Sequence, residues 1–202
     1  MPKIPITLIT GFLGSGKTSF LREFLSTHND SGTALIINEL GQVALDQRVL
    51  KPSVHYADEQ MLYLNAGCLC CTKRLDLIES LKALLDGYEA RGEALRQVII
   101  ETTGLANPAP ILWTLLSDAF LCAHFVLQGS IACVDALGGL LQLENDEARQ
   151  QIVCSDSVLL TKTDLNADTK ALRAEILAIN PSVAIFDKRG LSYKVLFPSK
   201  KP

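Results

Sequence analysis

The chain has 202 residues, of which 48% are hydrophobic and 20% charged, as expected for a globular domain with a substantial core. Its formal net charge of −3 gives no electrostatic basis for nucleic acid or an anionic membrane as the main partner. No apolar run approaches the roughly 20 residues of a membrane-spanning helix, and no signal peptide is recognisable, so we expect a cytoplasmic protein. In that compartment the six cysteines should stay reduced, and clustered ones indicate metal or redox chemistry.

Apolar runs of strand length alternate with amphipathic helical patterns along the chain. Strands are predicted at residues 4–10, 34–37, 61–64, 97–100, 157–160 and 183–186, and helices at 19–27, 75–85, 107–120 and 144–154. A further helix is predicted from a cap at Asn166 or Asp168 through Ile179. Residues 125–135 are expected to form a hairpin about a Gln128-Gly129 turn, and Trp113 is expected in the core. The alternation predicts an α/β fold with three layers, a mostly parallel, doubly wound sheet carrying helices on both faces.

The first predicted strand runs into a glycine-rich turn, GFLGSGKT at residues 11–18, that matches the phosphate-binding loop G-x-x-x-x-G-K-[ST]. Its glycines let backbone N–H groups converge on an anion at a helix N-terminus. Lys17 brings a positive charge to the β- and γ-phosphates, and the Thr18 hydroxyl is placed to bind Mg²⁺. The sequence therefore predicts a nucleoside triphosphate site, whose residues in this loop are Gly11, Gly14, Ser15, Gly16, Lys17, Thr18 and Ser19.

Polar clusters follow four of the predicted strands, at residues 11–18, 38–42, 101–104 and 161–164. Because the carboxyl ends of parallel strands meet at one edge of a sheet, we expect these clusters to share one pocket. Glu101 follows an apolar strand, in the position of the Walker B acid that reaches Mg²⁺ directly or through water. The alternative is an ordinary charged residue at a strand end.

The last of these clusters, Thr-Lys-Thr-Asp at residues 161–164, can read a purine base. The Asp164 carboxylate can accept two hydrogen bonds from guanine N1–H and N2–H₂, whereas adenine offers no such pair of donors. The stem of Lys162 can lie along the purine face. We therefore expect GTP rather than ATP.

Three thiols lie within four residues, at Cys68, Cys70 and Cys71, just after a predicted strand. They could surround one soft or borderline ion such as Zn²⁺, Co²⁺ or Ni²⁺. A closed structural zinc site needs four ligands, so three leave an open, exchangeable position. The alternatives are a redox pair and small buried hydrophobic residues, which is how we interpret Cys122, Cys133 and Cys154.

Together these segments resemble the CobW family of P-loop GTPases, in its metallochaperone-type branch. The matching segments are GFLGSGKT at 11–18, NELG at 38–41, GCLCC at 67–71, ETTGLANP at 101–108 and TKTD at 161–164. The resemblance implies slow GTP hydrolysis coupled to the handling of a transition metal, often zinc or cobalt. It implies that Lys17 and Thr18 serve phosphate and Mg²⁺, Glu101 the Walker B role, Asp164 guanine, and Cys68, Cys70 and Cys71 the metal. The candidate catalytic residues are Lys17, Glu101 and Glu39.

The chain departs from the family pattern in three places. Gln42 stands where relatives often have a second acid, although Asp46 matches a common family aspartate. Many members continue into a C-terminal domain, whereas here we expect a GTPase domain at residues 1–187 and an irregular tail at 188–202. The region after Phe186, which should support the base and the ribose, has no clear match.

We expect a GTP-driven metal-delivery switch, in which GTP and Mg²⁺ order the loop at 39–46 and the cysteine turn, and hydrolysis relaxes both. The expected partners are a client metalloprotein or the metal-insertion machinery, with a nucleotide- or metal-dependent dimer as a further option. Two alternatives stay open. One is a P-loop ATPase or small-molecule kinase with structural cysteines, and the other is a nucleotide-binding regulatory module without catalysis of its own.

Overall fold

The computed structural model describes residues 2–27, 32–38, 61–64, 72–165 and 168–196. The strands in these ranges are β1 Ile4–Thr10, β2 Thr33–Asn38, β3 Met61–Leu64, β4 Gln97–Thr102, β5 Phe125–Asp135, β6 Ser157–Thr161 and β7 Ala184–Asp187. The helices are α1 Lys17–Thr27, α2 Thr72–Ala90, α3 Ala109–Ser117, α4 Ala119–His124, α5 Gly139–Gln142, α6 Asp146–Val153, α7 Lys170–Ile179 and α8 Tyr193–Leu196. No helix among the described residues is long and apolar enough to cross a membrane.

The strands form one sheet in the order β3-β2-β4-β1-β5-β6-β7, and each pair of neighbours is parallel. β1 lies at the centre, between β4 and β5. The register aligns the strand ends: Ile9 is opposite Glu101, and Asp135 is opposite Thr161. The carboxyl ends of these central strands therefore lie side by side along one edge, as the parallel pattern predicted.

Both faces of the sheet are covered, because successive strand residues point to opposite sides. On one face Ile9 packs in a core with Phe20 and Phe24 of α1. On the other face Leu8 packs with Leu81 of α2, and the strands β5 and β6 are covered there by α6 and α7. This arrangement confirms the predicted three-layer α/β fold.

The hairpin predicted at residues 125–135 is wrong. The segment is one strand, and its register against β1 shifts between Ile6, opposite Leu127, and Thr7, opposite Gly129. Gln128 is thus the additional residue of a β-bulge, which bends the strand without reversing it. A Gln-Gly pair in the sequence is compatible with either a bulge or a turn. Here the residues before and after Gln128 both pair in parallel with β1, so the chain continues in one direction.

The helix predicted at residues 107–120 is two helices. α3 ends at Ser117, and Asp118 starts α4 by accepting a hydrogen bond from the Leu121 N–H at 3.0 Å, as an N-cap aspartate does. Trp113 is 66% exposed, so its predicted core position is wrong. Thr114 and Leu115 occupy the buried side of α3 instead.

The expectation of an irregular segment after residue 187 is wrong for residues 193–196, which form α8. Leu196 is buried in the same core as α1. The ring of Tyr193 packs against Phe20 and Phe24, with centroids 5.9 and 5.4 Å apart. The single turn of α8 therefore depends on tertiary contact with α1. Residues 197–202 lie outside the described part of the chain.

Candidate functional site

The turn between β1 and α1 has the backbone of an anion-binding loop. Gly11, Gly14 and Gly16 have φ values of 140°, 71° and 87°, a region that residues with a Cβ rarely adopt. A Cβ on Gly11 would also overlap the Cys133 carbonyl of β5. Glycine at these positions lets the loop turn closely over the end of the sheet and continue directly into α1.

Lys17 is the first residue of α1, and its side chain turns back into the loop. Its Nζ donates to the Gly11 carbonyl at 2.6 Å and to the Phe12 carbonyl at 3.1 Å. Burial lowers the pKa of Lys17, and the nearby Glu101 carboxylate opposes that shift only in part. The ammonium group is therefore held at the loop with much of its water removed, where an anion would be bound strongly.

Thr18 and Glu101 meet although 83 residues separate them. Thr18 Oγ1 donates to Glu101 Oε1 at 2.9 Å, and Glu101 is 5% exposed. A hydroxyl and a carboxylate side by side are the oxygen ligands that Mg²⁺ prefers, with the remaining positions taken by water and phosphate. The donor set present at this point of the sheet edge therefore fits a magnesium–triphosphate complex.

The end of β6 is tied to the phosphate loop. Thr161 Oγ1 donates to the Ser15 carbonyl at 2.7 Å, and Lys162 Nζ donates to the Gly14 carbonyl at 3.0 Å. Lys162 has a φ of 55°, a left-handed conformation that is uncommon for a residue other than glycine and that recurs at ligand-binding sites. The described residues thus bring the Thr-Lys-Thr-Asp cluster beside the loop, as the strand-end rule predicted.

Asp135, at the end of β5, is a residue of this edge that the sequence analysis missed. Its Oδ2 is 2.6 Å from Lys162 Nζ, and its Oδ1 accepts from the Leu137 N–H at 2.8 Å. Burial raises the pKa of Asp135, but the bonds from Lys162, Leu137 and Gly138 outweigh burial and lower the pKa overall. The rule that located Glu101, an acid ending an apolar strand, would also have found Asp135.

Asp164 lies in the turn after β6 and is exposed to solvent. The Leu165 N–H donates to the Lys162 carbonyl at 3.0 Å, which closes the turn. Arg189, from the segment after β7, donates to the Thr163 carbonyl at 3.1 Å. The Asp164 carboxylate therefore lies at the edge of the sheet that carries the phosphate loop, on a turn held by its own backbone hydrogen bond and by Arg189.

The turn after β4 lies against the phosphate loop. A Cβ on Gly104 would lie 2.7 Å from Leu13 N, so only glycine allows this approach. Gln151 of α6, a second residue that the sequence analysis missed, donates through Nε2 to the carbonyls of Gly104 and Ala106 at 3.0 and 3.1 Å. Its position in the middle of an amphipathic helix gave no signal for such a role.

Several predicted site residues lie outside the described part of the chain: Glu39, Gln42, Asp46, Cys68, Cys70 and Cys71. Among the described residues there is no group of three or more His, Cys, Asp or Glu side chains that could hold a metal ion. Of the other cysteines, Cys133 is buried, and Cys122 and Cys154 are half-buried. The backbone of Leu64, the last residue of β3, pairs with Asn38, and Asn38 pairs with Thr102.

Two solved structures of similar fold contain a transition metal. The crystal structure of Zn(II)-bound YjiA GTPase from Escherichia coli is 28% identical with a TM-score of 0.71, over 95% of this chain and 59% of that one. The crystal structure of HypB from Helicobacter pylori in complex with nickel has a TM-score of 0.63 at 17% identity, over 91% of this chain and 78% of that one. The second likeness supports the fold alone.

Relatives with curated descriptions match most of the chain. The zinc chaperone YjiA of Escherichia coli (strain K12) is 35% identical over 187 residues, which are 92% of this chain and 58% of YjiA. The zinc-regulated GTPase metalloprotein activator 1 of Schizosaccharomyces pombe is 34% identical over 183 residues, 88% of this chain and 44% of the relative. The chain thus spans about half the length of these relatives. Because residues 5–187 match the model of the CobW/HypB/UreG nucleotide-binding domain, the chain belongs to that family.

Proposed function

We propose that this domain binds GTP with Mg²⁺, hydrolyses the GTP slowly, and couples its nucleotide state to the binding and transfer of a transition metal, with zinc as the first candidate. The observation that carries the proposal is the hydrogen bond of Thr18 to Glu101 beside Lys17. It brings the hydroxyl and the ammonium group at the start of α1 together with the carboxylate of β4 at the end of one glycine-rich loop.

In the proposed site each described residue has a distinct task. Lys17 exchanges its bonds to the loop carbonyls for the phosphate oxygens, and the N–H groups of the loop hold those oxygens at the start of α1. Thr18 and Glu101 would hold Mg²⁺, which neutralises the phosphate charge when it is bound. Glu39, which lies outside the described residues, is the proposed third catalytic residue. Asp164 accepts from guanine, and the stem of Lys162 lies along the purine.

The proposed metal ligands are Cys68, Cys70 and Cys71. Two similar proteins are named zinc chaperone and zinc-regulated GTPase metalloprotein activator, which favours zinc over cobalt or nickel. The cysteines follow β3 in the sequence, and β3 pairs with β2, which in turn pairs with β4, the strand that carries Glu101. The metal would pass to a client metalloprotein in the cytoplasm, and a nucleotide- or metal-dependent dimer belongs to the same proposal.

The test is a Zn²⁺ titration of the reduced protein with GDP and with a non-hydrolysable GTP analogue, both with Mg²⁺. We expect two different zinc affinities, and zinc must change the ratio of the affinities for the analogue and for GDP by the same factor, since coupling is reciprocal. The C68A/C70A/C71A variant should lose zinc binding and the effect of zinc on nucleotide affinity, and the control variant C122A should retain both. Equal zinc affinities in both nucleotide states would remove the switch.

The alternative functions predict other results in two companion assays. A P-loop ATPase or small-molecule kinase would bind ATP at least as well as GTP, whereas Asp164 should reject adenine. A regulatory module without catalysis would release no phosphate above background in a single-turnover assay with GTP. Phosphate release from GTP together with weak competition by ATP supports the GTPase.

A further inference from the structure

We infer that Gln151 is a positioning residue for nucleotide hydrolysis, because its side-chain amide holds the turn after β4 (residues 103–106) against the phosphate loop. This inference rests on the proposed GTPase function and adds a residue far from the recognised motifs. Gln151 lies in α6 and follows Gly104 by 47 residues in the sequence.

The amide of Gln151 is buried, and both hydrogen bonds of its nitrogen go to the turn after β4. Gln151 is 1% exposed, and Nε2 donates to both the Gly104 and Ala106 carbonyls. An amide nitrogen has two hydrogens, so this pair of bonds uses its full donor capacity and fixes which way the amide faces. Inside the turn the Ala106 N–H donates to the Thr103 carbonyl at 3.1 Å. The amide nitrogen therefore binds two carbonyl groups, those of Gly104 and Ala106, in a turn that is also closed by its own hydrogen bond.

The turn that Gln151 holds is in direct contact with the phosphate loop. A Cβ on Gly104 would lie 2.7 Å from the nitrogen and 2.9 Å from the Cα of Leu13. Leu13 is held from its other side by Gln142, whose Nε2 donates to the Leu13 carbonyl at 3.2 Å. Two glutamines thus hold the two sides of one contact. Glu101, the partner of Thr18, is three residues before Gly104 at the end of β4, so the turn continues directly from the strand that carries the proposed Mg²⁺ ligand.

The bonds of Gln151 are not needed to keep α6 in place. Ala148 and Ile152 of α6 are buried in the core cluster with β5, β6 and α7, and this packing anchors the helix independently. Gln151 also lines a cavity of about 10 Å³ that is bordered by Gly11 and Phe12 of the loop. An unbranched side chain of the same length can therefore replace it without overpacking, which makes the inference testable by substitution.

The test compares Q151M, which removes both donors, with Q151E, which directs a carboxylate at two carbonyl oxygens. The control is Q150E, at an exposed position of the same helix. We expect kcat for GTP to fall about 10-fold in Q151M and up to about 100-fold in Q151E, because a small misplacement of reacting groups has effects of this size. KM for GTP and the affinity for GDP should change by less than about 3-fold, since the phosphate loop itself is intact.

A second comparison uses G104A, whose Cβ would push the turn away from Leu13 directly. If Gln151 acts through this turn, the double variant G104A/Q151M should be little slower than G104A alone. Wild-type kcat in folded Q151M and Q151E, or fully additive losses in the double variant, would overturn the inference and leave the proposed GTPase intact. Absence of GTP hydrolysis in the unsubstituted protein would overturn both. Should Q151E fail to fold, Q151M and the double variant decide.

Discussion

At the scale of single residues, the proposed chemistry depends on the bond of Thr18 to Glu101. We expect E101Q to lower kcat for GTP about 100-fold, because the amide oxygen still accepts from Thr18 but the negative charge that holds Mg²⁺ is lost. The fold should be kept, since the buried site stays filled and hydrogen-bonded. Steady-state kinetics over a range of Mg²⁺ concentrations measures the effect, and excess Mg²⁺ should restore part of the rate.

The matched comparison is T18S against T18V. Serine retains the hydroxyl that faces Glu101, whereas valine removes it and leaves the carboxylate without this donor. A rate for T18V equal to that of T18S, or an E101Q rate that does not depend on Mg²⁺, would contradict a joint role of the two side chains.

The site residues that could be predicted from the sequence stand in local motifs, whereas those that were missed act through tertiary contacts. Glu101 and Lys17 stand in local patterns, at a strand end and in a glycine-rich loop, so position along the chain was enough. Gln151 acts through contact with a turn 47 residues away, and such a contact exists only after the sheet has formed. Asp135 lies between these cases: its strand end was visible, but its pairing with Lys162 was not.

At the scale of elements, the segment after β7 holds α1, the helix that starts at the phosphate loop. Glu23 of α1 accepts a hydrogen bond from the Tyr193 hydroxyl at 2.8 Å and pairs with Lys188 Nζ at 2.6 Å. The bonds from Lys188 and Tyr193 lower the pKa of Glu23. Burial, together with the bond to Glu23, raises the pKa of Tyr193 to about 12.

These shifts predict how stability depends on pH. Because the pKa of Glu23 is lowered in the folded state, its stabilisation is present above the ordinary value of 4.5 and is lost as the pH falls below it. Because the pKa of Tyr193 is raised, its stabilisation is present below the ordinary value of 10.0 and is lost as the pH rises towards about 12. Urea unfolding of the protein, E23Q and Y193F over the pH range measures both losses.

We expect a small effect, since Glu23 is half exposed and solvent screens such pairs. E23Q should flatten the acid side of the profile, and Y193F should flatten the alkaline side. Identical pH profiles for all three proteins would show that this contact does not hold α8 on α1.

The same scale shows which elements a sequence can predict. The strands β1, β4 and β6 were predicted because short apolar runs, such as Val98-Ile99-Ile100 in β4 and Val158-Leu159-Leu160 in β6, are typical of a buried parallel sheet. The hairpin prediction failed because the pair Gln128-Gly129 is compatible with either a turn or a β-bulge. The Trp113 prediction failed because α3 carries apolar residues on more than one side, so its sequence does not show which side is buried. α8 has only four residues, and so short a helix has no sequence signal without the surface of α1.

At the scale of the whole molecule, ligand binding should raise the stability of the folded domain by mass action. A GTP analogue at 100 times its Kd adds about 2.7 kcal/mol. For a domain of this size that corresponds to a rise in Tm of roughly 5 to 11 °C. ATP with the same Mg²⁺ should give a much smaller rise, because adenine leaves the Asp164 carboxylate without donors.

Substitution of Asp164 separates base recognition from phosphate binding. D164A removes charge-assisted hydrogen bonds of about 1.5–3 kcal/mol, so the GTP-induced rise in Tm should shrink. The ATP-induced rise should increase, because the carboxylate that adenine leaves without donors is gone, and the two rises should approach each other. The control D86A removes an exposed acid on α2 and should leave both rises intact. Equal rises with ATP and GTP would assign the site to an adenine-tolerant P-loop enzyme. A rise with GTP that survives D164A would place guanine recognition on other residues of the rim, with the segment around Arg189 next to the turn.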